Sequence, residues 1–253
     1  MNSLFSLANR LAIVSGAGRG TGRAIALTLA QAGADVVVAA RTAKEIEETA
    51  AEIQKLGRRA LAVQTDVRVS DQVTNLVNKT LEEFHRIDIL VNNAGAGTMA
   101  QTLEVSESRF DSLIRENLKG CFLCSKAVAE TMIKQGKGSI VNIASTEGLR
   151  AAPTNGIYGA AKAGVIALTQ SLAVELGRSH VRVNTVVPGF IETAFPYALE
   201  VPKLRDLFGR VPLGRAVKSE EIAAAVLYFA CDASDCTTGA MLVVDGGMSS
   251  MLG

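Results

Sequence analysis

Residues 11–32, LAIVSGAGRGTGRAIALTLAQA, decide the fold. They combine a short apolar run over 11–15, a glycine-rich turn and a helical stretch over 23–32. The glycines at 16, 20 and 22 fit the spacing G-x3-G-x-G rather than G-x-G-x-x-G, because position 21 is threonine. Glycines let a backbone turn sharply and approach a pyrophosphate, which then binds to amides of the helix N-terminus. The stretch therefore predicts a dinucleotide site at the first βα turn.

Apolar runs of strand length recur along the chain, with helical stretches between them. The runs lie at 11–15, 35–39, 60–64, 88–91, 138–143, 181–187 and 240–244. This alternation predicts a parallel sheet covered by helices on both faces, and right-handed crossovers then make it doubly wound. We therefore predict an α/β fold, with a single Rossmann domain over residues 1–253 and a seven-stranded parallel sheet.

Composition and charge argue against several classes of function. The 253 residues are 48% hydrophobic and 20% charged, which is typical of a globular protein with a large core. A net charge of +1 gives no electrostatic reason to bind nucleic acid or a membrane surface. The first ten residues do not resemble a signal peptide, and we find no run of eighteen apolar residues. We expect no membrane span and a cytoplasmic location.

The four cysteines indicate neither a metal site nor a disulfide. Cys121 and Cys124 fall inside a predicted helix, where zinc and redox motifs rarely lie, and no histidine is near them or near Cys231 and Cys236. We predict buried free thiols, no metal site and a reducing compartment.

A tyrosine, a lysine and a serine form the candidate catalytic group. Tyr158 and Lys162 are four residues apart in a helical stretch and therefore share one face, and Ser145 precedes the tyrosine by thirteen residues. An ammonium one turn from a phenol should lower the phenol's pKa from about 10. A nearby serine hydroxyl could hold a carbonyl oxygen. The pattern indicates proton transfer to and from an oxygen on carbon.

These motifs together resemble the short-chain dehydrogenase/reductase family, and within it the branch of ketoreductases similar to 3-oxoacyl reductases. The resemblance covers nearly the whole chain. Further motifs occur in the family's order, and they are Asp66-Val67, Asn92-Asn93-Ala94-Gly95, Asn117, Pro188-Gly189 and Thr193.

The resemblance implies hydride transfer between a nicotinamide and a ketone or secondary alcohol. Tyr158 would be the general acid or base, Lys162 would hold the nicotinamide ribose, Ser145 would orient the carbonyl oxygen, and Asn117 would support a proton-relay water. The implied cofactor-binding residues are Gly16, Arg19, Gly20, Thr21, Gly22, Arg41, Asp66, Val67, Asn93, Ala94, Gly95, Tyr158, Lys162, Pro188, Gly189, Ile191 and Thr193.

The end of the second strand indicates which nicotinamide is preferred. An acidic residue there would bind a ribose 2′-hydroxyl and select NAD, but this strand ends in Ala40. Arg41 follows at once, and Arg19 lies inside the glycine loop. Two guanidinium groups can bind a 2′-phosphate by charge-assisted hydrogen bonds. We therefore predict NADP(H).

Residues 189–217 interrupt the regular alternation with an apolar, proline-broken connection. The resemblance implies a substrate lid here, after the sixth strand, and long connections in compact proteins are often functional. The apolar content predicts a small-molecule ketone or alcohol of medium size.

Two classes of function compete with a ketoreductase. One is a non-catalytic dinucleotide sensor, which would have no use for Asn117, Ser145, Tyr158 and Lys162 together. The other is a sugar-nucleotide epimerase or dehydratase, but that branch carries a larger C-terminal domain. Within the reductases, a 3-oxoacyl-carrier-protein reductase remains an alternative. Glu130 stands where a base would be expected to meet the acidic carrier, and this favours a free ketone.

Assembly is predicted from the two helical stretches over 107–135 and 156–178. Both are richer in apolar residues than one sheet face requires, and family members pair through them. We predict a homotetramer.

Overall fold

The computed structural model describes residues 3–97, 100–194 and 209–251. One sheet of seven parallel strands has the order β3-β2-β1-β4-β5-β6-β7. The strands are β1 Leu11–Ser15, β2 Asp35–Ala40, β3 Ala60–Gln64, β4 Ile89–Asn92, β5 Gly138–Ile143, β6 Val181–Pro188 and β7 Met241–Val244. The α/β Rossmann fold with a seven-stranded parallel sheet is therefore confirmed. Each strand starts and ends within one residue of its prediction.

Helices cover both faces of the sheet. They are α1 Gly20–Gln31, α2 Ala43–Lys55, α3 Ser70–Phe84, α4 Glu107–Ile114, α5 Gly120–Gln135, α6 Gly156–Leu176 and α7 Ser219–Ala230. A π-helical segment, Arg115–Lys119, joins α4 to α5. The buried side chains of α1, α2 and α7 pack on one face, and those of α3, α5 and α6 pack on the other.

Strand β1 shows why the strands read as continuous apolar runs. Ala12 and Val14 belong to the core under α1, α2 and α7, whereas Leu11 and Ile13 belong to the opposite core. All five residues of β1 are buried. A strand that is covered on both faces gains from apolar side chains at every position, so no alternation appears in the sequence.

The candidate site lies where the strand order reverses. β1 pairs with β2 on one side and with β4 on the other. The connections after β1 and β4 therefore leave the sheet in opposite directions and open a crevice at the carboxyl ends of these strands, the usual ligand position in such sheets.

Helix α6 is apolar along much of its length. With the turn that follows it, residues 156–179, it is long and apolar enough to cross a membrane by length and composition alone. It packs on β6 and carries Tyr158 and Lys162, so it is a helix of the globular core. Only 33% of its most apolar window is buried within the single chain, which leaves an apolar outer face.

The cysteines follow the prediction at three of four positions. Cys121, Cys124 and Cys231 are buried free thiols, but Cys236 is exposed, so its predicted burial is wrong. It lies in the turn between α7 and β7, outside both cores. Burial raises the pKa of Cys121 and Cys124 to about 12, which keeps both as unreactive thiols at neutral pH.

Candidate active site

The glycine loop has the backbone geometry of an anion cradle. Gly16 and Gly20 have φ angles of +66° and +52°, in the left-handed region that favours glycine. A Cβ on Gly22 would lie 2.1 Å from the carbonyl oxygen of Gly16, so only glycine allows this close approach. Helix α1 begins at Gly20 with no acidic residue in its first turn, and its first amides can bind an anion. The loop therefore fits a pyrophosphate.

A cavity of about 890 Å³ runs from this loop along the carboxyl ends of the strands. Every predicted cofactor-binding residue lines it, and these are Gly16, Arg19, Gly20, Thr21, Gly22, Arg41, Asp66, Val67, Asn93, Ala94, Gly95, Tyr158, Lys162, Pro188, Gly189, Ile191 and Thr193. Ser145 also lines the cavity.

The structure brings the predicted catalytic residues together at one end of this cavity. Ser145 follows β5, and Tyr158 and Lys162 lie near the start of α6. The Ser145 side chain lies close enough to the Tyr158 hydroxyl to act on its pKa. Lys162 Nζ donates to the carbonyl oxygen of Ile143 over 2.8 Å and lies 5.6 Å from the centre of the Tyr158 ring. At 4% exposure, Lys162 is almost fully removed from solvent.

Burial, rather than the neighbouring ammonium, dominates the acidity of Tyr158. Burial raises the pKa of Tyr158 to about 12, the hydrogen bond with Ser145 opposes this, and the charge of Glu147 adds to it. The prediction that Lys162 lowers this pKa is therefore wrong, since its ammonium is directed to a main-chain oxygen. Burial also lowers the pKa of Lys162 to about 8. Tyr158 is thus a protonated phenol at neutral pH.

Asn117 lies behind the cavity on the π-helical segment. Its Nδ2 donates to the carbonyl oxygens of Ala96, over 2.9 Å, and Leu113, over 3.0 Å. Its buried Oδ1 has no hydrogen-bond partner among the described residues. A Cβ on Gly95 would lie 2.6 Å from this Oδ1 and 3.2 Å from Lys162 Nζ, so both polar groups converge on one glycine. π-Helical turns often occur at functional sites because they reorient a side chain.

Glu147 is a functional candidate that the motifs did not reveal. Its amide donates to Ser145 Oγ over 3.2 Å, and its charge acts on Tyr158. Its Oε2 is buried and has no hydrogen-bond partner in the described part of the chain. Burial raises the pKa of this carboxyl, and a hydrogen bond with Asn155 opposes the rise. Its position two residues after Ser145 was the only signal in the sequence.

The other end of the cavity carries charged side chains, of which Arg41 and Arg19 are exposed. Arg41 follows β2, its side chain is 59% exposed, and it pairs with Glu116 over 3.5 Å. Asp66 pairs with Arg68 over 2.6 Å, and the hydrogen bond from Arg68 holds the pKa of Asp66 below its usual range. Arg19 is exposed at the N-cap of α1. Glu116 and Arg68 were not predicted, because no motif contains them.

The start of the predicted lid is tied to the glycine loop. Thr193 Oγ1 lies 3.3 Å from Ser219 Oγ, and Ser219 Oγ lies 3.2 Å from Thr21 Oγ1. Ile191 forms a parallel bridge with Val217. The central part of the predicted lid, residues 195–208, lies outside the described residues.

Comparisons with known proteins agree with this geometry. A family model described as "Enoyl-(Acyl carrier protein) reductase" matches residues 16–249. The chain is 37% identical to a 3-oxoacyl-(acyl-carrier-protein) reductase from Thermotoga maritima, with 96% of this chain and 98% of the relative covered. It is 38% identical to a cis-4-hydroxycyclohexanecarboxylate dehydrogenase from Sinomonas cyclohexanicum, with 97% and 99% covered.

A solved structure extends the likeness to the fold. A gluconate 5-dehydrogenase from Burkholderia cenocepacia J2315, in complex with NADP and tartrate, superimposes with a TM-score of 0.94 at 33% identity, and 99% of each chain is covered. Fold and site together define an oxidoreductase that acts on an alcohol or ketone. The chain belongs to the short-chain dehydrogenase/reductase family.

Proposed function

We propose that this protein is an NADP(H)-dependent oxidoreductase that transfers hydride between the nicotinamide and a ketone or secondary alcohol. One observation carries the proposal: Ser145, Tyr158 and Lys162 line the same cavity as the glycine loop. A dinucleotide bound along this cavity would reach from the loop to the phenol.

Tyr158 is the residue that donates and accepts the proton. When bound, the nicotinamide supplies or accepts the hydride. In reduction, the protonated phenol of Tyr158 donates to the carbonyl oxygen, and in oxidation it takes the proton back. The Ser145 hydroxyl holds that oxygen and stabilises the charge that develops on it. Lys162 would hold the nicotinamide ribose, and Oδ1 of Asn117, which has no partner among the described residues, would support a water that returns the proton.

The other residues that line the cavity are assigned to successive parts of the dinucleotide. The amides at the start of α1 bind the pyrophosphate. Asp66 and Val67 would contact the adenine, and Asn93 and Gly95 would line the side of the adenine ribose. Val187 to Thr193 would contact the carboxamide. At the far end, Arg41 and Arg19 would bind the 2′-phosphate, since Ala40 offers no carboxylate to a 2′-hydroxyl.

A panel of ketones and alcohols, each assayed with both NADPH and NADH, tests the proposal. Ketone-dependent loss of NADPH absorbance, faster than that of NADH, is the expected result. Tight binding of the dinucleotide without turnover of any ketone or alcohol would instead support the sensor.

The preferred substrate is a free small-molecule ketone of medium size, since the connection after β6 is largely apolar. The repulsion expected between Glu130 and an acidic carrier protein is weaker than the sequence alone indicates. Glu130 is 78% exposed, but Lys134 pairs with it over 2.6 Å and offsets its charge. The Thermotoga maritima relative favours a second candidate, a 3-oxoacyl-carrier-protein reductase. Faster reduction of an acetoacetyl carrier protein than of every free ketone would select that candidate.

We also propose a cytoplasmic homotetramer. Apolar side chains are exposed on the helices expected to pair and on the edge strand β7, and they are Phe110, Phe122, Val174, Met241, Leu242 and Val243. Exposed apolar surface of this kind is typical of an interface. Light scattering should give four times the 26.5 kDa mass of one chain, and a mass of 26.5 kDa at micromolar concentration would contradict the assembly.

A further inference from the structure

The carboxylate of Glu116 interacts electrostatically with charged residues at both ends of the cavity. It precedes Asn117 on the π-helical segment and lines the cavity, and its side chain is 13% exposed. Its carboxylate pairs with Arg41 over 3.5 Å, and its charge also acts on Arg68 and Lys162. No step of the proposed mechanism uses this group.

The position of the carboxylate matters because Arg41 follows β2. An acidic residue at the end of β2 would select NAD by binding a ribose 2′-hydroxyl. This chain has Ala40 at that position, so β2 supplies no carboxylate. Glu116 places a carboxylate beside the Arg41 guanidinium, although it lies on a different element, 75 residues further along the chain. Its low exposure keeps it in place, whereas Arg41 is 59% exposed and free to reorient.

We propose that Glu116 is a specificity-determining residue that limits the preference for NADP(H). Its carboxylate competes with the 2′-phosphate for the Arg41 guanidinium, and two anions close to one cation repel each other. When NADH binds instead, the same carboxylate is available to accept a hydrogen bond from the ribose 2′-hydroxyl. The inference rests on the proposed function, in which Arg41 binds the 2′-phosphate.

Four proteins test the proposal: wild type, Glu116→Gln, Arg41→Gln and the double variant. Each is titrated with NADPH and with NADH, and circular dichroism and thermal unfolding check the fold. Glu116→Gln should bind NADPH about threefold to tenfold more tightly, the range of a partly exposed ion pair, and should bind NADH equally or more weakly. In the Arg41→Gln background the gain should vanish, because the guanidinium is the shared partner.

Two further variants act as controls. Glu83→Gln breaks an ion pair with Arg59 that is remote from the cavity and should leave both affinities unchanged. Glu116→Ala removes the same charge with a different side chain and should give the same direction, which covers the case in which the glutamine variant does not fold.

The outcomes separate the inference from the proposed function. Weaker NADPH binding by Glu116→Gln would overturn the inference, since Glu116 would then orient Arg41 for the phosphate. A gain that persists without Arg41 would also overturn it. If Arg41→Gln alone leaves the NADPH-to-NADH affinity ratio unchanged, the proposed role of Arg41 fails and the inference fails with it.

Discussion

The two ends of the cavity control their charged groups by opposite means. At the catalytic end, Lys162 is 4% exposed, Tyr158 is desolvated, and burial dominates both pKa values. At the end proposed to bind the 2′-phosphate, called the phosphate end, Arg41 is 59% exposed and the charged side chains form ion pairs. Burial fixes a protonation state and a geometry, which proton transfer needs. Exposed pairs can exchange one partner for another, which suits the binding and release of an anion.

The largest expected effect concerns the proton donor. Tyr158→Phe keeps the ring and removes only the hydroxyl, so turnover should fall at least about a hundredfold, the size expected for general acid-base catalysis. The titrated affinity for NADPH should stay close to wild type, because the phosphate end is unchanged. Steady-state kinetics of ketone reduction measure the effect.

Tyr228→Phe is the matched control, since Tyr228 lies on α7 beside Phe229 and does not line the described cavity wall. That variant should keep full turnover. Near-normal turnover of Tyr158→Phe would remove Tyr158 from the mechanism.

The second effect tests burial at the catalytic end. The pKa of Lys162 falls from 10.5 to about 8 on folding, so the protonated amine opposes folding below pH 8, and the penalty disappears as the pH rises towards 10.5. Lys162→Met should therefore exceed wild type in free energy of unfolding by about 2 kcal/mol near pH 7, and by less near pH 10. Denaturant unfolding at several pH values measures this.

Lys79→Met provides the comparison, because Lys79 is exposed on α3. It measures how far the loss of a surface lysine by itself changes the free energy of unfolding. A constant difference between Lys162→Met and wild type from pH 7 to 10 would mean that the amine is not destabilised by burial.

A smaller effect is expected at the phosphate end. Replacing Ala40 by Asp and Arg41 by Gln supplies a carboxylate for a 2′-hydroxyl and removes a guanidinium from the phosphate. The ratio of kcat/KM for NADPH to that for NADH should fall about tenfold, the cost of one exchanged charge contact. Arg59→Gln, remote from the cavity, should leave the ratio unchanged. A ratio unaffected by the double change would place the phosphate site elsewhere.

The sequence revealed local features well and long-range ones poorly. The glycine loop and the apolar runs were readable because each depends on neighbouring residues. Strand β4 begins at Ile89, one residue later than predicted, although the Asp88 main chain still bonds to Leu11 and Ser139. The contact that the sequence could not show is the one from Leu11 N to the Asp88 carboxylate over 2.8 Å, 77 residues apart in the chain. The Arg41–Glu116 ion pair likewise joins residues 75 positions apart in the chain, which no local pattern could show.

The acidity of Tyr158 shows the same limit. Spacing placed Lys162 on the face of Tyr158, but it could not show that the ammonium bonds to Ile143 on β5. Nor could it show how far the phenol is buried, which is the larger influence on its pKa. Residues 195–208, predicted to close over the substrate, lie outside the described part of the chain.

The central claim is that this cavity binds a nicotinamide dinucleotide and selects its 2′-phosphate. Titration of the wild-type protein with NADPH and with NADH, followed by nicotinamide fluorescence, tests it without any knowledge of the substrate. We predict saturable binding of one NADPH per chain, tighter than that of NADH and weakened by salt, because the phosphate contacts are exposed charges. Equal or tighter binding of NADH, or binding of neither, would contradict the account.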